Sequence, residues 1–340
     1  MIALTDEQQK QAINAEQTYM AWRAAWVDAR EYAGGMHWKT VKGREYLYRT
    51  HDRKGNAKSL GVRSPDTETL LNLFQHKKQT QEARLKTLAD AVQTTARVNA
   101  ALRLGSAPPV VAALCQRLWQ AGLLGKNLLV IGTNSLYAYE ALAGVRFESD
   151  VTATTDIDLL WMHQAKLRLS MLEVENAESA VPDGLLEILQ RADSSFIRLE
   201  NQNFRAANKN GFLVDLIRQT PKPPWKKERD RMGASDDLVA TDIWNMKWLL
   251  NAPRIEQIAI ATNGAMYPLT VPDPRAFCAF KYWLATSDER DPRKKSRDLA
   301  QARAVHQLIT ERLPHLSNWD EITSIPKGVM TKLRRAFPTL

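Results

Sequence analysis

The sequence has few of the residues that build disulfide frameworks or zinc sites. Its 340 residues include two cysteines and six histidines. Cys115 and Cys278 are too far apart in the chain to form a metal-ligand motif, and no histidines recur at the close spacing of zinc ligands. The low cysteine count argues against a disulfide-stabilised secreted protein and leads us to expect a cytoplasmic location.

Long hydrophobic runs are also missing. No stretch approaches the roughly 20 apolar residues that a membrane span needs. The first ten residues are polar and lack the basic flank and apolar segment of a signal peptide. Apolar residues make up 44% and charged residues 25% of the chain, as in folded globular proteins. We therefore expect no membrane partner and, from the chain length, about two domains.

Basic side chains are in excess. Lysine and arginine number 47 against 38 aspartates and glutamates, which gives a formal net charge of +9. This balance favours polyanionic partners such as nucleotides or nucleic acids. The densest basic region, residues 39–63, also contains Tyr46 and Tyr48.

Cations for phosphates and aromatic rings for stacking suit RNA or single-stranded nucleic acid. The alternative is a solvated hairpin whose Tyr46 and Tyr48 pack on the first helix. A second basic segment lies near residue 226. The candidate nucleic-acid contacts are Lys42, Arg44, Tyr46, Tyr48, Arg49, Lys226 and Lys227.

Hydrophobic periodicity and turn residues predict an α+β fold in three regions. Residues 1–105 form a helical N-terminal region with a basic β-hairpin at about 44–62. Residues 106–220 mix strands and helices and predict a mixed-sheet core. Residues 221–340 are mainly helical, with a second hairpin at about 255–271 around the Asn-Gly turn at 263–264.

A glycine turn follows a short apolar strand in the central region. Strand 128–131 runs into Gly132 and Thr133, and a helix is predicted over 135–143. Glycine lets the backbone approach a ligand closely, and N–H groups at a helix start favour phosphate. Turns of this kind also occur in proteins that bind no phosphate, so the turn by itself specifies no function. It matches neither a Walker loop nor a GxGxxG fingerprint.

Three aspartates fall on the neighbouring predicted strands. Asp156 and Asp158 begin the strand 156–161 and, two residues apart, point to the same face. Asp215 lies in a strand-like apolar run, where an unpaired carboxylate would be costly. The plainer interpretations are a solvated strand end and a salt bridge from Asp215 to Arg218. The alternative is a shared divalent cation, because Mg²⁺ prefers carboxylate oxygens.

These motifs resemble the nucleotidyltransferase superfamily typified by DNA polymerase β, and within it a bacterial branch of nucleotidyltransferase-fold proteins. The resemblance rests on three segments: VIGTNS at 130–135, TDIDLL at 155–160 and VDLI at 214–217. It implies that Asp156, Asp158 and Asp215 are catalytic and bind two Mg²⁺ or Mn²⁺ ions. It also implies that the NTP contacts are Gly132, Thr133, Asn134, Lys281 and Lys294.

The leading hypothesis is therefore a metal-dependent nucleotidyltransferase with its catalytic domain at 106–220. It would move a nucleoside monophosphate from NTP to a hydroxyl of RNA, tRNA, a protein or a small molecule and release pyrophosphate, with Asp215 as general base. Two alternatives remain open: a nucleic-acid-binding protein with a vestigial site, and a metal-dependent nuclease that uses the same carboxylates. Lys281 either extends to solvent or reaches the cleft, and Lys294 lies beside Asp298, a plain salt-bridge partner.

Overall fold

A computed structural model describes residues 1–50, 57–162, 184–226 and 228–337 of the chain. The helices are α1 (Asp6–Glu31), α2 (Pro65–Ala101), α3 (Pro109–Gln120), α4 (Ser135–Ala143), α5 (Ser149–Thr152), α6 (Leu185–Ala192), α7 (Lys247–Leu250), α8 (Pro274–Thr286), α9 (Pro292–Arg312) and α10 (Lys327–Ala336). The strands are β1 (Ile2–Ala3), β2 (Gly35–Val41), β3 (Arg44–Thr50), β4 (Ala57–Val62), β5 (Leu128–Ile131), β6 (Val145–Arg146), β7 (Asp156–Trp161), β8 (Ile197–Leu199), β9 (Gln202–Ala207), β10 (Leu213–Gln219), β11 (Thr241–Ile243), β12 (Arg254–Ile260) and β13 (Met266–Pro272). The expected α+β class with a mixed sheet is confirmed.

Within the part of the chain that the structure describes, the central sheet has six strands in the order β5-β7-β10-β9-β8, and β11 also pairs with β10. Strands β7 and β10 run parallel, whereas β5 and β9 are antiparallel to their neighbours. Ile157, Leu159 and Leu160 on β7 are fully buried, as expected for a strand covered on both faces. The parallel pairing therefore places the first residues of β7 and β10 side by side, at the end of the sheet where both strands begin.

The C-terminal helices pack against this sheet in one continuous apolar core. The core includes Leu159 on β7, Phe277 on α8 and Leu308 on α9, all less than a tenth exposed. Helix α8 begins at an Asp273 cap, whose carboxylate accepts the Arg275 backbone N–H. Burial of these apolar faces fixes α8 and α9 beside the strand ends.

The N-terminal region carries a separate three-stranded antiparallel sheet, β2-β3-β4. Strand β2 was not expected from the sequence. A two-residue turn at Lys42 and Gly43, both with positive φ, connects it to β3. Helix α1 joins the rest of the protein through Tyr19, which packs in a small cluster with Ile258 and Met266.

The tyrosines of β3 do not pack on the first helix, as one interpretation of the sequence had them. Leu47 and Arg49 face inward, and the Arg49 guanidinium lies 4.4 Å from the centre of the Phe74 ring on α2. Tyr46 and Tyr48 occupy the other face, because side chains alternate along a strand. Lys39 stands opposite Tyr46, and its ammonium lies 5.6 Å from the Tyr48 ring centre.

Most predicted elements are confirmed with shifts of a few residues at their ends. Helix α3 ends at Gln120, where a helix to Leu124 was expected, because Gly122 at φ +72° follows. Strands β9 and β11 were also missed. The expected turn at 52–56 and the start of the helix expected from Pro182 lie outside the described residues, and the three-region division of the chain stays a prediction.

Glu140 on α4 gives the fold a testable pH dependence. Burial raises the pKa of this carboxyl to about 7, although it accepts hydrogen bonds from Ser106 and from the Phe147 backbone N–H and lies near Arg146. The folded state therefore binds the proton more tightly than the unfolded state, and stability falls as pH rises from about 4.5 through 7. Glutamine does not titrate, so Glu140→Gln should not lose this stability. Its free energy of unfolding relative to the wild type should therefore rise by about 2–3 kcal/mol when the pH is raised from 5 to 8.

Urea unfolding of both proteins at pH 5 and pH 8 measures this difference. Glu148→Gln, an exposed neighbour, serves as the control and should track the wild type at both pH values. If Glu140→Gln and the wild type change equally with pH, Glu140 does not titrate as described.

Candidate active site

A row of polar side chains crosses three neighbouring strands of the central sheet. Asp158 on β7 pairs in register with Asp215 on β10, and Asp215 pairs in register with Arg205 on β9. Residues directly opposite on adjacent strands point to the same face. With Asp156 and Thr133 they line one cavity of about 220 Å³. The three aspartates named from the sequence are thus brought together beside the glycine turn.

Gly132 is required by the shape of this turn. It follows β5 with φ +68°, a conformation that L side chains rarely adopt, and a Cβ atom here would overlap Oδ2 of Asp158. Asn134, which is buried, donates from its side-chain amide to the Asp156 backbone oxygen at 2.7 Å. The turn is therefore tied to the strand end that carries two of the aspartates.

The pKa of Asp158 is raised by its surroundings in the cavity. Burial, reinforced by the neighbouring charges of Asp156 and Asp215, raises its pKa to about 7, and Lys281 and Lys294 act in the opposite direction. Thr154 donates a hydrogen bond to Asp156 Oδ1. A cation between the carboxylates would relieve this repulsion.

Asp215 is paired with Arg205, not with Arg218, the partner in the plainer alternative to a metal site. Arg205 Nε and Nη2 lie 2.6 and 2.7 Å from the two Asp215 carboxylate oxygens, a bidentate pair. Arg218 instead donates to Asp242 on β11, because the side chains of residues 215 and 218 point to opposite faces of β10. Within the described ranges, no three Asp, Glu, His or Cys side chains are grouped closely enough to hold a metal ion. This is consistent with the pairing of both Asp215 carboxylate oxygens with Arg205.

A basic wall closes the other side of the cavity. Lys281 on α8 and Arg290 both pair with Asp298 on α9, at 2.8 and 2.7 Å. Burial lowers the pKa of Lys281, and Asp298 opposes that shift. Lys294, an exposed residue of α9, lines the same cavity with Arg297. Both lysines named from the sequence therefore face the aspartates, and Lys281 is simultaneously part of a buried ion network.

The candidate nucleic-acid residues divide into two groups. Lys42 and Arg44 are exposed at the β2–β3 turn, and Lys226 is exposed and paired with Glu228 at 2.8 Å. Arg49 is only 6% exposed and donates to the backbone oxygens of Glu31, Gly35 and Thr50. Its role is structural, and this corrects the expectation of a nucleic-acid contact. Lys227 lies outside the described residues.

Comparison with known protein families identifies the chain. A family model described as nucleotidyltransferase matches residues 110–325, more than half of the chain. The protein belongs to this nucleotidyltransferase family. The nucleotidyltransferase is an enzyme that transfers phosphorus-containing groups from NTP, and the matched range contains the whole cavity and its basic wall.

Comparisons with curated proteins and with solved structures were also made. No curated protein and no solved structure matches the nucleotidyltransferase. Among its described residues, no helix combines the length and apolar character that crossing a membrane requires.

Four cavity residues of the nucleotidyltransferase were not named as site residues from the sequence: Arg205, Arg290, Arg297 and Gln301. Arg205 lies on β9, a strand that no pattern indicated, and Arg290 lies in the turn between α8 and α9. Gln301 is fully buried on α9. Its spacing from Lys294 and Arg297, seven and four residues, places all three on one helical face, a signal that could have been used.

Proposed function

We propose that the nucleotidyltransferase moves a nucleoside monophosphate from NTP to a hydroxyl acceptor, with divalent cations held by Asp156, Asp158 and Asp215. The observation that carries the proposal is the opposition of charges across one small cavity. Three carboxylates lie on the strand side, and Lys294 and Arg297 lie on the helix side. A triphosphate with bound metal ions needs both kinds of group at once.

The carboxylates suit Mg²⁺ or Mn²⁺ by chemistry and by charge. All three offer hard oxygen donors, and the pKa of Asp158 is raised first by burial and then by the negative charges of Asp156 and Asp215. Asp156 and Asp158 are available directly, and Asp215 becomes available when Arg205 shares or releases its oxygens. When bound, two divalent ions neutralise charge on the phosphates and lower the pKa of the acceptor hydroxyl.

The chain's own groups would then orient the reactants. Lys294 and Arg297 would attract the triphosphate, and the Thr133 hydroxyl would donate to one of its oxygens. The acceptor oxygen would attack the α-phosphorus as the bond to the bridging oxygen breaks and pyrophosphate leaves. Asp215 would accept the acceptor's proton, since a carboxylate paired with one guanidinium retains lone pairs for it.

The basic wall favours this function over a nuclease with the same carboxylates. A nuclease needs no triphosphate site, whereas Lys281, Lys294, Arg290 and Arg297 surround the cavity. A vestigial binding protein would not need to retain the costly group of carboxylates around Asp158. Incubation with each α-³²P-labelled NTP, Mg²⁺ and total RNA or lysate tests the proposal. Covalent label in one acceptor fraction supports it, and strand cleavage without NTP contradicts it.

We further propose that the acceptor is a single-stranded nucleic acid, bound by the outer face of β2-β3-β4. This face carries Tyr46 and Tyr48 on its central strand, with Lys39 and His37 opposite them on β2. The His37 and Tyr48 rings stack at 6.4 Å. The one acidic residue in the three described strands, Glu45, pairs with Arg63 at 2.8 Å. Partly exposed aromatic rings beside cations are a common means of binding single strands.

Tyr48→Ala is expected to weaken binding of a 15-nucleotide single-stranded RNA by at least about tenfold, because one base loses its stacking partner. Lys39→Gln should lower the slope of log affinity against log salt by about 0.7. Fluorescence anisotropy at several salt concentrations measures both effects. Trp244→Ala, which removes an exposed aromatic ring outside this sheet, is the control. Unchanged affinity in Tyr48→Ala, or a preference for duplex RNA, contradicts the assignment.

A further inference from the structure

The Thr133 hydroxyl accepts two hydrogen bonds from helix α9. Arg297 Nη2 lies 3.3 Å and Gln301 Nε2 lies 3.1 Å from Thr133 Oγ1. A guanidinium only donates, so the first bond has one possible direction. The direction of the second depends on how the Gln301 amide is oriented.

That orientation is fixed by a second contact. The same Gln301 nitrogen lies 2.9 Å from the backbone oxygen of Val151. A carbonyl oxygen only accepts, so the atom facing Val151 must be the NH₂ group of the amide. Gln301 therefore donates to Thr133 as well, and both lone pairs of the hydroxyl are used.

Arg297 makes an equivalent bridge. Its Nη2 also donates to the backbone oxygen of Ala153. Arg297 and Gln301, one helical turn apart, thus join the glycine turn to the segment just before β7. We call these two residues the α9 clamp.

We infer that the α9 clamp forces Thr133 to donate its hydroxyl hydrogen to a phosphate oxygen of the bound NTP. With both lone pairs engaged, the O–H group can satisfy itself only as a donor, and phosphate oxygens are acceptors. Arg297 and Gln301 are then positioning residues for the triphosphate. This inference rests on the proposed function and specifies how its nucleotide site is oriented.

A second observation points to an anionic ligand at the same place. Arg297 Nε is buried and has no hydrogen-bond partner among the described residues, although Arg297 lines the cavity. A buried charged N–H group without an acceptor is costly, and a phosphate oxygen would satisfy it. Thr133 and Arg297 would together present two donors to one phosphate chain.

A binding cycle tests the clamp without relying on turnover. Inorganic tripolyphosphate with Mg²⁺ is the probe, because it carries the phosphate chain without a base, and calorimetry measures its affinity. Gln301→Met should weaken binding about tenfold, since the hydroxyl regains a free lone pair and loses its fixed direction. Thr133→Val should weaken it at least as much. The double variant should bind no more weakly than Thr133→Val alone, because both changes remove one shared interaction.

Controls on the same helix separate this role from general stability. Gln307→Met and Arg303→Lys alter exposed residues of α9 and should leave affinity unchanged. Arg297→Lys keeps the charge but loses the planar fork, and it should weaken binding as Gln301→Met does. It provides a second variant if Gln301→Met does not fold.

The outcomes distinguish the inference from the proposed function. Wild-type affinity in Gln301→Met and Arg297→Lys, or additive losses in the double variant, overturns the clamp even if nucleotide transfer is observed. If the coupling is observed but the wild type transfers no nucleotide, the clamp stands and the proposed function fails. A wild type without affinity for tripolyphosphate refutes both.

Discussion

Asp158→Asn is expected to lower nucleotidyl transfer at least about 1,000-fold while leaving the fold intact. Asparagine keeps the shape of the side chain but removes the negative charge that a divalent cation would bind. Asp158 pairs in register with Asp215 and lies against Gly132, where the proposed function places the triphosphate and its metal ions. Steady-state assays with labelled NTP and Mg²⁺ measure the loss.

Stability should change in the opposite direction. Because burial raises the pKa of Asp158 to about 7, the folded state binds this proton more tightly than the unfolded state. Without metal, the wild type therefore loses stability as pH rises from about 4 through 7. At pH 8 in EDTA, Asp158→Asn should unfold at the same or a higher urea concentration than the wild type.

Asp150→Asn, an exposed aspartate on α5, is the matched control and should keep both activity and stability. Turnover of Asp158→Asn within tenfold of the wild type would remove Asp158 from the catalytic set. A lost activity accompanied by a lost fold would show that the carboxylate is structural.

The second large effect is expected at Asp298, where one carboxylate neutralises two cations. Lys281 and Arg290 both pair with it, and Asp298 is 2% exposed. Asp298→Ala removes this partner from two basic groups, one of which, Lys281, is buried. We expect the free energy of unfolding to fall by about 3–5 kcal/mol, as when one partner of a buried ion pair is removed.

Urea unfolding at pH 7 measures this loss. Asp320→Ala removes a surface pair with Arg334 in which Asp320 is 79% exposed, and it should cost less than about 1 kcal/mol. A similar small cost at Asp298 would mean that Lys281 is stabilised by another group, such as Asp158. Lys281→Met combined with Asp298→Ala should recover part of the loss, because the variant no longer leaves a buried ammonium unpaired.

The sequence predicted the strand side of the site well because that information is local. A strand followed by Gly132, and two aspartates at a spacing of two, determine their own geometry through strand alternation. The helix side depends on packing between distant segments. No local pattern shows that Gln301 meets Thr133 across 168 positions, and this contact exists because α8 and α9 share the apolar core with the sheet.

Arg205 illustrates the remaining limit. Asp215 was expected to pair with Arg218, its near neighbour in the chain, if it was not a metal ligand. Alternation instead turns Arg218 away, and strand β9 brings Arg205 directly opposite Asp215. Strand β9 mixes polar and apolar residues and lacks the hydrophobic pattern by which a strand is recognised in a sequence. Side-chain partners across a sheet follow from register, which the sequence specifies only after the strands are known.

The close approach of Gly132 to the Asp158 carboxylate has a consequence for homologous chains with another residue at this position. Any side chain at position 132 would have to push that carboxylate aside and adopt a backbone angle that costs energy. A homologous chain that keeps the aspartates but carries alanine or valine at this turn is therefore expected to hold the carboxylate equivalent to Asp158 in a different position.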